Sequence, residues 1–316
     1  MDKKSQLYLK LTNRKNKRLF FYAVVLAFPI LQFLVFYVYV NFNTLILAFQ
    51  KYENASGAVG YNVTFAGLDN FKSVIDRFGV QGNFDMVWNS LLVYVVSLGV
   101  GTTLALFFSY YIYKKFFMAN TFRIFLFLPQ VLSGVVLSLL FKYMVTDAYI
   151  TLTGSKVGLL DMPETRMWAL LFFHVWSSFG ANILIYSGAM SGINESVVES
   201  AQLEGVNTLQ EFWYITFPMI FPTFITFLIS GIAGIFSAQL NLYTIYENNA
   251  PLSTVGYYLY VQSVHSGLIP LVNTATNTTY LSYSEISAFG IIITLIIVPI
   301  TLSIRKILNK YGPNPN

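Results

Sequence analysis

The sequence predicts an all-α, polytopic membrane protein with about six transmembrane helices. Three observations carry this. Of its 316 residues, 55% are hydrophobic and only 10% are charged, where a soluble domain carries roughly a quarter charged residues. Mean hydropathy is +0.59. The apolar residues gather into segments long enough to cross a bilayer, and the basic residues gather between alternate segments.

A helix rises about 1.5 Å per residue, so a hydrocarbon core of about 30 Å takes about 20 apolar residues. Segments 19–40, 87–113, 124–145, 168–190, 217–240 and 286–304 qualify. Pro29, Pro129, Pro222 and Pro299 fall inside four of them. In a membrane bundle, neighbouring helices can satisfy the carbonyls that proline frees, so these prolines predict kinks and not loops. The first segment resembles a secretory signal, but its apolar run is too long and no small-residue cleavage site follows, so it reads as a retained span.

Charge sets the orientation. Lys3, Lys4, Lys10, Arg14, Lys15, Lys17 and Arg18 precede the first span, Lys114, Lys115 and Arg123 follow the second, and Arg305, Lys306 and Lys310 follow the sixth. By the positive-inside rule both termini are cytoplasmic. The stretch 243–284 has no Lys or Arg, as befits an outer loop. This basic excess, part of a net charge of +5, is a topology signal and not a nucleic-acid stripe. The resulting organisation is a basic tail over 1–18, the first helix and an outer loop over 19–84, a core over 85–306 with a loop at 191–216, and a tail over 307–316.

Several chemistries are excluded. There is no cysteine, and His174 and His265 are the only histidines, so thiolate chemistry and a histidine-built zinc site find no ligands. No nucleophile or metal cluster converges; catalytic and metal residues are therefore expected to be none. An ATP-driven pump in one chain needs a G-x-x-x-x-G-K-[ST] loop. Gly99-Val100-Gly101-Thr102-Thr103 lacks the lysine and lies in an apolar span. An ion-coupled carrier needs ionisable groups in mid-membrane. Here the spans hold His174, with Lys142 and Glu285 near ends. His174 is either a packing residue or a proton relay.

The loop at 191–216 breaks the charge rule. It holds Glu195, Glu199, Glu204 and Glu211 with no basic residue, on the side expected to be cytoplasmic. It is either a solvated turn or a docking element for a protein. Asn194 can cap a short helix over 195–204, with Val197, Val198 and Ala201 on one face. Gly205 stands where a left-handed residue ends a helix. Thr208 and Glu211 have capping-box spacing for a second helix running into the fifth span, with Pro218 near the membrane boundary. The product is a short rigid helix across the cytoplasmic mouth.

Here the sequence resembles the permease subunits of type I ABC importers. Their signature is E-A-A-x-x-x-G, followed after nine residues by I-x-L-P; this chain has Glu199-Ser200-Ala201-Gln202-Leu203-Glu204-Gly205 and then Ile215-Thr216-Phe217-Pro218. Glu199, Ala201, Gly205, Ile215 and Pro218 match, while Ser200 and Phe217 depart mildly. Phe65-Ala66-Gly67-Leu68-Asp69-Asn70-Phe71 resembles the F-x-G-L-x-N-F of the carbohydrate branch, and Pro251-Leu252-Ser253-Thr254 loosely resembles its G-G-P-x-x-S-T, one residue shorter and with Asn249 and Ala250 for the glycines.

The resemblance implies the type I ABC importer transmembrane fold and a non-catalytic role: a permease in a bacterial cell membrane, importing a sugar or oligosaccharide. Implied partners are a second permease subunit, two cytoplasmic ATPases that hold ATP and magnesium, and an extracytoplasmic binding protein; this chain itself binds no cofactor and no nucleic acid. ATP-driven closure of the ATPases is expected to push the loop and open the path outward. Other solutes, such as a glycerol-phosphate or an amino acid, stay open, as does an ion-coupled secondary carrier. For the path, polar residues inside spans stand out: Gln130, Asn182, and the group Ser237, Gln239, Asn241 and Tyr243 at the outer end of the fifth. An unpaired amide is costly in hydrocarbon, so each lines a cavity or bonds a neighbouring helix.

Overall fold

The computed structural model describes residues 14–54, 60–79, 83–273 and 278–313. Lys3, Lys4 and Lys10 of the basic tail lie outside the described residues, as does the end of the C-terminal tail. Among the described residues the chain is all-α apart from two short hairpins. Among the described residues six helices are long and apolar enough to cross a membrane: α1 (Lys17–Leu47), α3 (Phe84–Tyr113), α5 (Gly134–Thr153), α6 (Pro163–Ser191), α8 (Thr208–Ala233) and α11 (Tyr283–Tyr311). Between them lie α2 (Asp69–Phe78), α4 (Ala119–Val131), α7 (Glu195–Leu203), α9 (Leu242–Tyr246) and α10 (Val255–His265). The chain divides into two compact units, 1–74 with 266–291 and 75–265 with 292–316.

In the first unit α1 presents every described side chain from Lys17 to Ile46 to its surroundings. Its apolar character is therefore matched to lipid or to another chain. The helix hands over to β1 (Gln50–Asn54), which pairs antiparallel with β2 (Tyr61–Phe65) in the register Gln50 to Phe65. The F-x-G-L-x-N-F segment explains itself here. Asn70, buried, donates to the carbonyls of Ala48 (2.8 Å) and Gln50 (2.9 Å), and the Phe65 and Phe71 rings lie 6.5 and 5.2 Å from Phe49. A motif distant in sequence thus satisfies the carbonyls at the end of the first span. In the same unit, Glu285 is no isolated intramembrane charge. Its carboxylate accepts from the Ser282 backbone N–H at 2.8 Å, and the Ser282 hydroxyl accepts from Glu285 N–H, forming a capping box at the start of α11.

The second unit holds two layers of buried side chains. One layer gathers Val93, Phe141, Leu170, Phe173 and Leu242; the other gathers Ala105, Tyr110, Phe179, Tyr186, Met190 and Ile220. Lipid is as apolar as these side chains, so close packing and interhelical hydrogen bonds hold the helices together. Ser109 of α3 donates to the Ile183 carbonyl of α6 at 3.0 Å. Gly180 lets α6 approach α4 so closely that a β-carbon there would stand 2.4 Å from the Leu126 carbonyl oxygen.

Two expectations are corrected. The third span is not one helix over 124–145. α4 ends at Val131, and Leu132 and Ser133 are extended, with ψ of 149° and 128°. The 13 residues of α4 reach only about 20 Å, and the span-length helix is α5. Pro129 removes an N–H from the last turn of α4, and Gly134 opens the next helix. The fifth span ends at Ala233 and not at residue 240. Gly234 follows, then a single 3-10 turn, Ile235–Ser237, and two left-handed residues, Leu240 (φ 52°) and Asn241 (φ 54°).

Candidate functional site

The loop between α6 and α8 is built from local capping. Asn194 stands before α7, and its side-chain oxygen accepts from Ser196 N–H at 3.1 Å. At the other end, Gly205 N–H bonds the Gln202 carbonyl (3.1 Å) and Val206 N–H the Ala201 carbonyl (3.2 Å), with Gly205 at φ +79°. This pair of bonds is a Schellman motif, and its left-handed position favours glycine. α7 is a helix of nine residues, closed at both ends. Val198 and Ala201 form its buried face. Val197, expected beside them, is exposed: it lies a full 100° round the helix from Val198.

The capping box of the second helix is shifted by one residue from its expected place. Asn207, not Thr208, caps α8: its side-chain oxygen accepts from Gln210 N–H (2.9 Å), and Gln210 returns an oxygen to Asn207 N–H (3.0 Å). Glu211 has another partner. Lys114, at the end of α3, donates to both of its carboxylate oxygens at 2.8 Å, and Glu211 is 2% exposed. It therefore leaves the acidic surface of the loop, which consists of Glu195, Glu199 and Glu204, all exposed.

From Thr208 the helix continues without interruption to Ala233. The second limb of the loop is thus the first turns of the fifth span. A π-helical stretch, Phe212–Thr216, widens it just before Pro218, where the missing N–H would leave a carbonyl unmatched. Ile215 and Pro218 are half-buried. Along the same loop and limb, Leu203, Leu209, Trp213 and Tyr214 are exposed, Leu203 by 91%. The surface offered is apolar and acidic together, and its apolar part was not expected from the charge pattern.

The path residues separate into two groups. Gln130, at the end of α4, is exposed and its side-chain amide donates to the Ser177 carbonyl of α6. Asn182 is half-buried on α6. Gln239 and Asn241 lie in the turn that leads into α9 and Tyr243 in the first turn of α9 itself, all beyond the helix they were expected to end, and Tyr243 meets Tyr260 edge to face at 4.8 Å. This turn and α9 are tied down by three side-chain bonds. Lys142 of α5 donates to the Ile245 carbonyl (2.7 Å), Tyr246 to the Leu160 carbonyl (3.0 Å) and Tyr257 to the Glu247 carbonyl (2.7 Å). Burial pushes the Tyr246 and Tyr257 hydroxyls above their ordinary pKa, so both stay protonated donors at neutral pH. Among the described residues no group of His, Asp and Glu is placed to hold a metal ion.

Six spanning helices, with a capped two-helix loop fused to the fifth, define a multi-pass membrane protein. The chain belongs to the family described as the binding-protein-dependent transport system inner membrane component, which it matches over residues 98–311. It is similar to the arabinooligosaccharides transport system permease protein AraP of Bacillus subtilis, 25% identical over 301 residues, or 89% of this chain and 86% of that one. It is also similar to the multiple sugar-binding transport system permease protein MsmF of Streptococcus mutans, 27% identical over 222 residues, 67% of this chain and 73% of that one. In fold it is similar to a chain of a bacterial alginate ABC transporter crystallised with an alginate pentasaccharide-bound periplasmic protein, with a TM-score of 0.67 and 19% identity over 92% of this chain and 95% of that one. The family match over 98–311 and the six spanning helices show that this is a multi-pass inner-membrane transport subunit.

Proposed function

We propose that this chain is the membrane-spanning permease of an ATP-driven importer for a sugar or oligosaccharide, energised by a separate ATPase through the loop at 191–216. The observation that carries the proposal is the loop itself. α7 is capped at both ends and exposes Glu199 and Leu203, and the limb beyond it is continuous with α8. A partner that displaces α7 acts directly on a spanning helix. Glu199, Ala201, Gly205, Ile215 and Pro218 divide this work: Glu199 faces the partner, Ala201 seats α7, Gly205 turns the chain, and Ile215 and Pro218 lie where the limb becomes the span.

The oligosaccharide class is supported by the names of the curated relatives. Gln130, Asn182, Gln239, Asn241 and Tyr243 are the proposed path residues; amides and a phenol suit hydroxyl-rich solutes. A second permease is supported by the fully exposed apolar α1, and an extracytoplasmic binding protein by the family description. Two ATPases hold the ATP and magnesium, and this chain hydrolyses nothing. Both termini are cytoplasmic. In support, Lys114 at the end of α3 pairs with Glu211 in the first turn of α8, which puts the basic end of the second span beside the loop.

Reconstitution tests the proposal. Uptake of a labelled oligosaccharide into vesicles should require the ATPase, ATP and the binding protein, and a cysteine at Leu203 should cross-link to the ATPase. Uptake that survives loss of the ATPase and collapses with an uncoupler would replace this reading with an ion-coupled carrier.

A further inference from the structure

Two side chains at the end of α3, Tyr110 and Lys114, stand four positions apart and so share one face of the helix. Both reach the first turn of α8. The Tyr110 hydroxyl donates to the Thr208 carbonyl at 2.9 Å, and its ring packs against Phe212 with centroids 5.0 Å apart. The Lys114 ammonium grips both oxygens of Glu211 at 2.8 Å. The Glu211 side chain is 3% exposed and that of Lys114 is 16%. None of these residues belongs to the E-A-A-x-x-x-G or I-x-L-P positions, and the partners lie 97 residues apart in sequence.

A buried ion pair is a poor general stabiliser, because desolvation offsets much of its attraction. Removing one partner is strongly unfavourable, because the other charge is left buried and unpaired. Such a pair therefore holds two elements in one register more than it adds net stability. Here the elements are the second span and the root of the fifth. The turns at 192–194 and 204–207 flank α7, and Thr208 and Glu211 lie directly beyond the second of them, fastened to α3.

We infer that Lys114 and Tyr110 form a clamp that makes the end of α3 and the start of α8 one mechanical body, so that displacement of the loop moves the second span together with the fifth. Lys114 and Glu211 are positioning residues: they hold the transmitting limb and do not meet the ATPase. The inference rests on the loop being the coupling element, as proposed above.

The test compares Lys114→Ala, Glu211→Ala, the double variant, and the exchange of Lys114→Glu with Glu211→Lys, each assembled with the ATPase and the second permease. Uptake per ATP hydrolysed and the thermal unfolding midpoint are measured for each. Each single variant should lose roughly ten-fold in uptake per ATP while the ATPase stays bound and active. The double variant should be no worse than the worse single, and the exchange should recover coupling. A role confined to stability would lower complex, hydrolysis and uptake in parallel and leave their ratio unchanged, and that result overturns the clamp. So do wild-type ratios in both singles, or losses that add in the double. Should the wild-type complex show no ATP-dependent uptake, the proposed function fails instead. The clamp is then judged on the unfolding midpoints of the same four proteins: coincident losses support it, and additive or absent losses remove it.

Discussion

Lys142, near the end of the span expected over 124–145 but in the middle of α5, places its ammonium 2.7 Å from the carbonyl of Ile245, and so ties a spanning helix to α9, which holds Tyr243 and follows the turn of Gln239 and Asn241. A half-buried charge in a spanning helix is expensive to keep. Its bond to a helix-end carbonyl and its place under the path residues account for it. Lys142→Met removes the donor and leaves the carbonyl unmatched. A hydrogen bond to a charged group contributes about 1.5–3 kcal/mol, so Lys142→Met should lower the unfolding midpoint and reduce uptake several-fold, while Lys142→Arg retains both. Wild-type uptake by Lys142→Met would show that the turn holds itself.

Gly205 separates backbone strain from crowding. A β-carbon at Gly205 would meet nothing of this chain within 4 Å, yet the residue sits at φ +79°. Gly205→Val should therefore cost about 1–2 kcal/mol from the left-handed backbone alone, leave the spans inserted, and weaken ATPase association by re-aiming α7. Gly205→Asn, which tolerates that conformation, should stay near wild type. Pull-down of the ATPase with each variant checks this; equal, undiminished recovery of both would make the loop a mere connector.

Glu199→Lys should act on docking without touching the fold, since Glu199 is exposed and Ala201 and Val198 carry the buried face of α7. The expected result is an unchanged unfolding midpoint with reduced ATPase association. A charge reversal that left association and uptake intact would place the partner contact on Leu203, Leu209 and Tyr214 instead.

The turn at Gln239 and Asn241 offers a test of the path. Gln239→Ala should impair uptake with assembly intact. Asn241 is left-handed at φ 54°, so Asn241→Ala mixes strain with loss of the amide. Asn241→Gly removes the amide and keeps the backbone relaxed. If Asn241→Gly transports normally while Asn241→Ala does not, the residue is there for its backbone conformation.

Orientation is checked by labelling. Cysteines at Lys115 and Leu209 should react only from the cytoplasm, and one at Leu152 only from outside. Leu209 and Leu152 are 71% and 85% exposed, so burial does not confuse the readout. Reaction at Leu209 from outside would overturn both the topology and the docking role.

Much of this protein is decided by local properties and is legible in its sequence. The six apolar stretches, Asn194 before α7, Gly205 after it and the Glu199 to Pro218 spacing depend on residues within a turn or two of each other, or on composition measured against bilayer thickness. What only the tertiary structure decided depends on partners far away along the chain. Thr208 and Glu211 fit a capping box as well as Asn207 and Gln210 do, and the choice went to the second pair because Lys114 takes the Glu211 carboxylate. Lys114 counted in the sequence only as a topology charge, since nothing near it showed an acid 97 residues away. The third span looked continuous because Leu132 and Ser133 interrupt no apolar pattern; their extended backbone is a matter of dihedral angles, which hydropathy does not encode. The path residues looked like the end of a helix for the same reason, until the left-handed Leu240 and Asn241, and Lys142 beneath α9, made them a turn. Periodicity and capping act over one or two helical turns and can be read along a chain, whereas an ion pair or a helix break is settled by whichever distant group arrives to satisfy it.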